Sequence, residues 1–138
     1  MLSPKARQFL AKSHMGALTT FRRDGAAQMS VVTCGPYQDG VAFTTTEGRA
    51  KLANLRRDPR CTLLVSQTWW PYLVVEGRAR ILDAKTTGAE ELRIALREVY
   101  QAAAGKEHPN WPEYDEAMVK DRRVAVIVAP ERVYGTAA

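Results

Sequence analysis

Little in this chain can hold a metal or cross-link a fold. Cys34 and Cys61 are its only cysteines and His14 and His108 its only histidines, without the close spacing of a zinc site or the density of a disulfide framework. Long apolar runs are missing too; stretches such as Val124 to Pro130 fall far short of a membrane span. The opening Met1-Leu2-Ser3-Pro4-Lys5 has no signal-peptide core, so the cytoplasm is the expected location. There is no Gly-x-Ser-x-Gly elbow, Walker loop or Gly-x-Gly-x-x-Gly. A serine hydrolase, a P-loop nucleotide hydrolase and a Rossmann nicotinamide site therefore lack support.

What is present describes an ordinary folded chain. Hydrophobic residues make up 46% and charged residues 25% of 138 positions, which suits one globular domain over 1–138. The net charge of +5 and pI near 9.5 favour an anionic partner. No helix-turn-helix, zinc-finger or RNA-recognition signature accompanies that charge, so a small molecule is expected, with neither nucleic acid nor membrane as partner.

Along the chain, Pro4 to Ser13 reads as a short helix capped by Ser3. Met15 to Phe21, Gln28 to Cys34 and Val41 to Thr45 read as a three-strand meander turned at Asp24-Gly25 and Asp39-Gly40. Thr46 is the expected N-cap of a helix from Gly48 to Arg57, stopped by Asp58-Pro59. Arg60 to Gln67 and Tyr72 to Asp83 are β-rich. Thr87-x-x-Glu90 is a capping-box signal for a helix with Leu92, Leu96, Val99 and Ala103 on one face, ended by Gly105, and there Glu90 and Glu91 suit the dipole. A shorter helix starts at Asn110-Trp111-Pro112-Glu113, and Arg123 to Val128 and Glu131 to Tyr134 return to strand. His14 has no partner at catalytic spacing and reads as structural. Hairpins dominate the first half, favouring a small antiparallel barrel over a parallel sheet.

The run from Phe43 to Arg60 carries the most chemistry, because a strand ends there in hydroxyls and a helix opens in cations. Thr44, Thr45 and Thr46 offer donors, the helix start exposes backbone N–H groups, and Arg49 and Lys51 add charge that opposes the macrodipole unless an anion sits there. Taken alone, the same run also suits a solvated surface helix. The form Gly48-Arg49-Ala50-Lys51-x-x-Asn54-Leu55-Arg56-Arg57-Asp58-Pro59-Arg60 resembles the phosphate-binding segment of the split-barrel flavin and deazaflavin oxidoreductases, a superfamily that includes pyridoxamine 5′-phosphate oxidase, and within it the branch that uses coenzyme F420.

That resemblance implies a mainly β fold with helices, a six-stranded antiparallel Greek-key split barrel, and a homodimer with the cofactor in a groove between subunits. It implies cofactor contacts from the second strand, Gln28, Met29, Ser30, Val31, Val32 and Thr33, of which Gln28, Ser30 and Val32 share one face by alternation. It implies phosphate contacts from Thr44, Thr45, Arg49, Ala50 and Lys51, ring contacts from Trp70 and Tyr72, and a meeting of Arg56, Arg57 and Arg60 with an acidic tail or solvent. The implied activity is hydride transfer from reduced F420 to a conjugated small molecule, of biliverdin, quinone or enone type. The rivals are an FMN-dependent oxidoreductase of the same fold and a non-catalytic flavin- or tetrapyrrole-binding protein. The end Pro130-Glu131-Arg132-Val133-Tyr134-Gly135 lacks the Trp- and Arg-containing segment of the oxidase itself. With the cofactor doing the chemistry, no catalytic side chain is expected.

Overall fold

Residues 1–138 are described by a computed structural model. Helix α1 (Pro4–Leu10) is capped by the Ser3 hydroxyl, which accepts the Ala6 amide at 3.0 Å. Strands β1 (Met15–Phe21) and β2 (Ala27–Thr33) form a hairpin, and β3 (Gly35–Tyr37) and β4 (Gly40–Thr46) form a second. Helix α2 (Ala50–Arg57) leads to β5 (Arg60–Val65) and β6 (Leu73–Leu82). Helices α3 (Ala84–Thr87), α4 (Ala89–Ala104) and α5 (Trp111–Lys120) precede the long β7 (Arg123–Tyr134). No helix is long and apolar enough to cross a membrane.

All strand pairs are antiparallel, in the order β2-β1-β5-β6-β7-β4-β3. The two ends of that order, β2 and β3, are consecutive in the chain and separated by Cys34 alone, so the sheet curls round until its last strand continues into its first. Seven strands are thus the expected six with the second broken in two. The break occurs at Cys34, whose amide still donates to the His14 carbonyl at 2.8 Å in register with the β1–β2 ladder, while its own carbonyl lies 2.9 Å from His14 Nδ1. The expected meander is therefore discontinuous. β2 pairs only with β1, and β4 is covered by β3 only from Gly40 to Ala42, so the facing edges of β2 and the end of β4 stay unpaired. The barrel is split along that line.

Leu18, Val41, Phe43, Leu63, Val75 and Val126 fill the interior, and Leu52 and Leu55 of α2 close one mouth. A smaller core lies outside the barrel, where Leu92, Leu96, Val99 and Tyr114 of α4 and α5 cover Ala42, Ala125 and Ile127. Buried on both faces, β4 and β7 carry continuous apolar runs instead of alternation.

Three local expectations give way. β7 runs unbroken through Pro130, which is tolerated because β4 pairs only as far as Val128 and a bulge opposite Glu76/Gly77 relaxes the ladder. Thr87 does not cap α4. Asp83 accepts the Thr86 amide at 2.8 Å and starts α3 first, leaving Gly88, at φ 98°, as the N-cap of α4. Arg49, not Thr46, is the N-cap of α2, with no side-chain acceptor for its first-turn amides.

The close approach of α4 to β3 depends on Gly35, where a Cβ would lie 2.3 Å from the Ala102 carbonyl carbon and oxygen. Backbone cannot yield as a side chain tip can. Gly35→Ala is expected to lower stability by about 1–3 kcal/mol, read as a fall in the urea midpoint at unchanged m-value.

Candidate functional site

The end of β4 sorts its three hydroxyls by alternation. Thr45 is 3% exposed and lies with the barrel interior, so only its backbone is offered outside, whereas Thr44 and Thr46 lie on the outer face. The β4–β7 register sets Arg123 opposite Thr46 and lets its Nη1 reach the Thr44 hydroxyl at 3.4 Å, across 79 positions of sequence. One residue earlier, the Arg122 carbonyl accepts the Glu47 amide at 3.1 Å and pins the turn through Gly48, at φ 87°. Arg49 then leans back, Nε donating to the Thr46 hydroxyl at 3.2 Å.

Arg49, Lys51 and Arg123 consequently crowd one place. The Lys51 ammonium is held below the usual lysine range, first by partial burial and then by the positive charges of Arg49 and Arg123. None of the three takes part in an ion pair. Arg123 Nε is buried with no hydrogen-bond partner, an uncommon condition for a guanidinium N–H. Three like charges, an unsatisfied donor, a hydroxyl and an uncapped helix start form a recess suited to phosphate.

A cleft of about 420 Å³ adjoins this recess, with Thr33, Thr44 and Arg123 on its sheet side and Tyr100, His108 and Tyr114 on its helical side. The rings form an edge-to-face cluster, Tyr100 lying 5.1 Å from Tyr114, 5.2 Å from His108 and 5.9 Å from Trp111. Tyr114 donates its hydroxyl to the Leu96 carbonyl at 2.8 Å, and burial pushes its pKa to about 12, so it supports the wall and supplies no proton. A flat apolar molecule with a phosphate at one end matches this shape.

Of the residues picked out in the sequence, Thr33, Thr44, Arg49, Ala50 and Lys51 gather around the recess and cleft. Gln28 is instead drawn into a buried network, its Oε1 accepting from Asn54 Nδ2 at 2.7 Å while the same nitrogen donates to Thr20 at 3.1 Å. Ser30 and Val32 share its inward face. Met29 and Val31 lie outward, 65% and 80% exposed. Trp70 packs edge-to-face on Tyr72 at 4.9 Å, in the loop between β5 and β6, and neither lines the cleft within one chain. Tyr72 is held by the C-terminal residues, its amide donating to Thr136 and its carbonyl accepting from Ala137. Arg56 is committed to Glu47 and Asp83, Arg57 to the Phe21 carbonyl and Asn54, and Arg60 to Asp58. Arg123, Tyr100 and His108 escaped the sequence reading. No local pattern marks them, because the β4–β7 pairing and the packing of α4 against α5 bring them together.

The family model described as pyridoxamine 5′-phosphate oxidase matches residues 2–137. Among solved structures, a conserved hypothetical protein from Mycobacterium tuberculosis superposes with a TM-score of 0.73 at 21% identity, over 96% of this chain and 82% of that one. A protein described as an F420 reductase gives 0.63 at 21% identity, over 93% and 94%. The heme storage protein HutZ from Vibrio cholerae gives 0.68 at 12% identity, over 97% and 94%. At such identities the likeness is one of fold.

If the recess selects phosphate, millimolar inorganic phosphate will raise the Tm above that in chloride of equal ionic strength. Lys51→Ala and Arg123→Gln should each remove most of that gain, as followed by differential scanning fluorimetry. An equal rise in both variants would show the recess to be a solvated surface.

Proposed function

The chain belongs to the pyridoxamine 5′-phosphate oxidase family, and on that premise we propose that it is a cytoplasmic, homodimeric reductase that uses coenzyme F420 to reduce a conjugated small molecule of biliverdin, quinone or enone type. The observation that carries the proposal is the unpartnered, buried Nε of Arg123 amid Arg49, Lys51 and Thr44. When bound, reduced F420 supplies a hydride. The chain's own part is to bind, orient and shield. Arg49, Lys51 and Arg123 hold the phosphate, with the Thr44 hydroxyl and the first amides of α2 completing its shell. The free edge of β2 near Thr33 and the aromatic wall at Tyr100 and His108 flank a planar ring and keep water from it. A single domain over residues 1–138 suffices for half of such a groove. The unpaired thiols of Cys34 and Cys61 suit a reducing compartment.

The choice of F420 is supported by the run from Gly48 to Arg60 and, at the level of fold, by the F420 reductase among the structural neighbours. FMN is the second reading, because the recess recognises a phosphate and FMN carries one. Storage of a flavin or tetrapyrrole without turnover is a third, and the likeness to HutZ supports it at the same level of fold. Tryptophan quenching with both cofactors separates the first two, F420 being expected to bind more tightly. Lys51→Ala should weaken that binding by about ten- to a hundredfold through the loss of one charge-assisted contact. FMN binding at least as tight as F420, or a yellow protein on purification, would replace the first reading by the second.

Dimerisation is supported by the outer face of the barrel. The register aligns Val31, Ala17, Leu64, Val74 and Tyr134 in one row across five strands. Exposed Met15 and Met29 border that row, at 56% and 65%. So much apolar surface suits a self-complementary contact, and the second subunit would supply the missing wall of the groove. Sedimentation should show a dimer that Val31→Glu converts to monomer. A wild-type monomer with tight cofactor binding would overturn the interface groove.

A further inference from the structure

A second and larger cleft, about 890 Å³, also reaches Arg123 and opens between α3, α4, α5 and the first residues of β7. Its floor is recessed and apolar. Leu92, Leu96 and Val124 are 7%, 3% and 2% exposed, with half-buried Met118 beside them and exposed Val119 at the rim. A deep floor of this kind within a cleft of this size fits a small molecule better than a protein surface.

Four carboxylates line the cleft, and each is already engaged by a guanidinium. Arg56 grips Glu47 with two hydrogen bonds, at 2.7 and 2.8 Å, and reaches Asp83 at 2.9 Å. Glu90 is paired with Arg93, and Asp115 with Arg97 and, at 3.7 Å, Arg93. Lys85, Arg122 and Arg123 have no carboxylate of their own. Three guanidiniums thus serve four carboxylates, and Lys85 and Arg122 more than offset the remaining negative charge, so the cleft keeps a small positive excess. With Arg123 turned to the phosphate recess, the cations of this cleft left without a carboxylate are Lys85 and Arg122. Arg122 is held in place by its backbone, at φ 51° with its carbonyl bonded to the Glu47 amide.

We propose that this cleft is a ligand site, separate from the phosphate recess, for an amphipathic organic anion. An aromatic or hydrocarbon body lies on Leu92, Leu96 and Val119, and a carboxylate, sulfonate or phosphate meets Lys85 and Arg122. Such a ligand gains from both parts: desolvation of the apolar body and a charge-assisted contact at its end.

The test uses 1-anilinonaphthalene-8-sulfonate as probe, titrated against the intact protein by fluorescence. Saturable enhancement is expected at one site per chain, and neutral N-phenyl-1-naphthylamine, the same body without the sulfonate, should bind at least about tenfold more weakly. The double variant Lys85→Gln, Arg122→Asn should weaken the probe by a similar factor, asparagine being tolerant of positive φ. Val119→Glu should do the same by placing a carboxylate at the rim, and at 79% exposure Val119 has little packing to lose. Lys51→Ala should leave probe binding unchanged. The proposal is overturned by the absence of saturation, by equal affinity for the neutral compound or by undiminished binding in both cleft variants. Loss in Lys51→Ala would overturn it too, since the probe would then occupy the phosphate recess.

Discussion

The antiparallel pairing of β4 with β7 is the contact on which the rest of this structure depends. Six residue pairs, from Val41 with Val128 to Thr46 with Arg123, join the first third of the chain to its last strand. Apolar side chains bury that ladder on both faces, against the barrel interior and against α4 and α5. A slip of one residue would exchange the two faces, putting Phe43 under the helices and Ala42 in the barrel, so the register is strongly held. The same register carries Arg123 to Thr44 and anchors the turn that opens α2. Core packing and the geometry of the recess are consequences of one alignment.

Charge is distributed unevenly around that alignment. Arg56 bridges Glu47 and Asp83, which ties the turn after β4 to the start of α3, and the pairing holds the Glu47 carboxyl below its ordinary range. Arg93 and Arg97 similarly join α4 to Asp115 on α5. These exposed pairs each contribute little to stability, roughly 0–1 kcal/mol. Their larger effect is to occupy the local carboxylates, leaving Lys51 and Arg123 without any. In a chain with 20 cationic and 15 acidic residues such a residue of positive charge is available, and the fold concentrates it at a helix start.

The split between β2 and β4 follows from a similar economy of contacts. Along that line Asn54 bonds to Thr20 and Gln28, a cross-strand pair of β1 and β2, and so ties α2 to the β2 side of the split. Helix α2 is thereby fixed by its middle, with Leu52 and Leu55 in the barrel mouth, while its cationic start remains free of the core. Rigid seating of an uncapped helix end is what a preformed anion site requires.

Much of this was legible in the sequence because it is local. Asp-Gly turns, Ser3 as a helix cap, the helix start at Asn110 to Glu113 and Pro59 as a stop act over two to four residues, and the corresponding elements stand where those signals put them. The hydroxyl-to-cation run from Thr44 to Lys51 is local too, and it marked half of the recess. Local signals failed where two competed over the same residues, as when Asp83 captured Thr86 before Thr87 could cap α4, or where a distant strand decided the outcome, as at Cys34 and Pro130. Arg123 was beyond any local pattern. Its pairing with Thr44 spans 79 positions and exists only because β7 returns beside β4. The aromatic wall at Tyr100, His108 and Tyr114, the commitment of Arg56 to Glu47 and Asp83, and the withdrawal of Gln28 into the Asn54 network belong to the same class. Sequence determined the strands, the turns and the cationic helix start, since those depend on near neighbours. Tertiary structure alone decided that Arg56 is paired with Glu47 and Asp83 while Arg49, Lys51 and Arg123 stay unpaired, because that depends on the strands and helices the folded chain brings together.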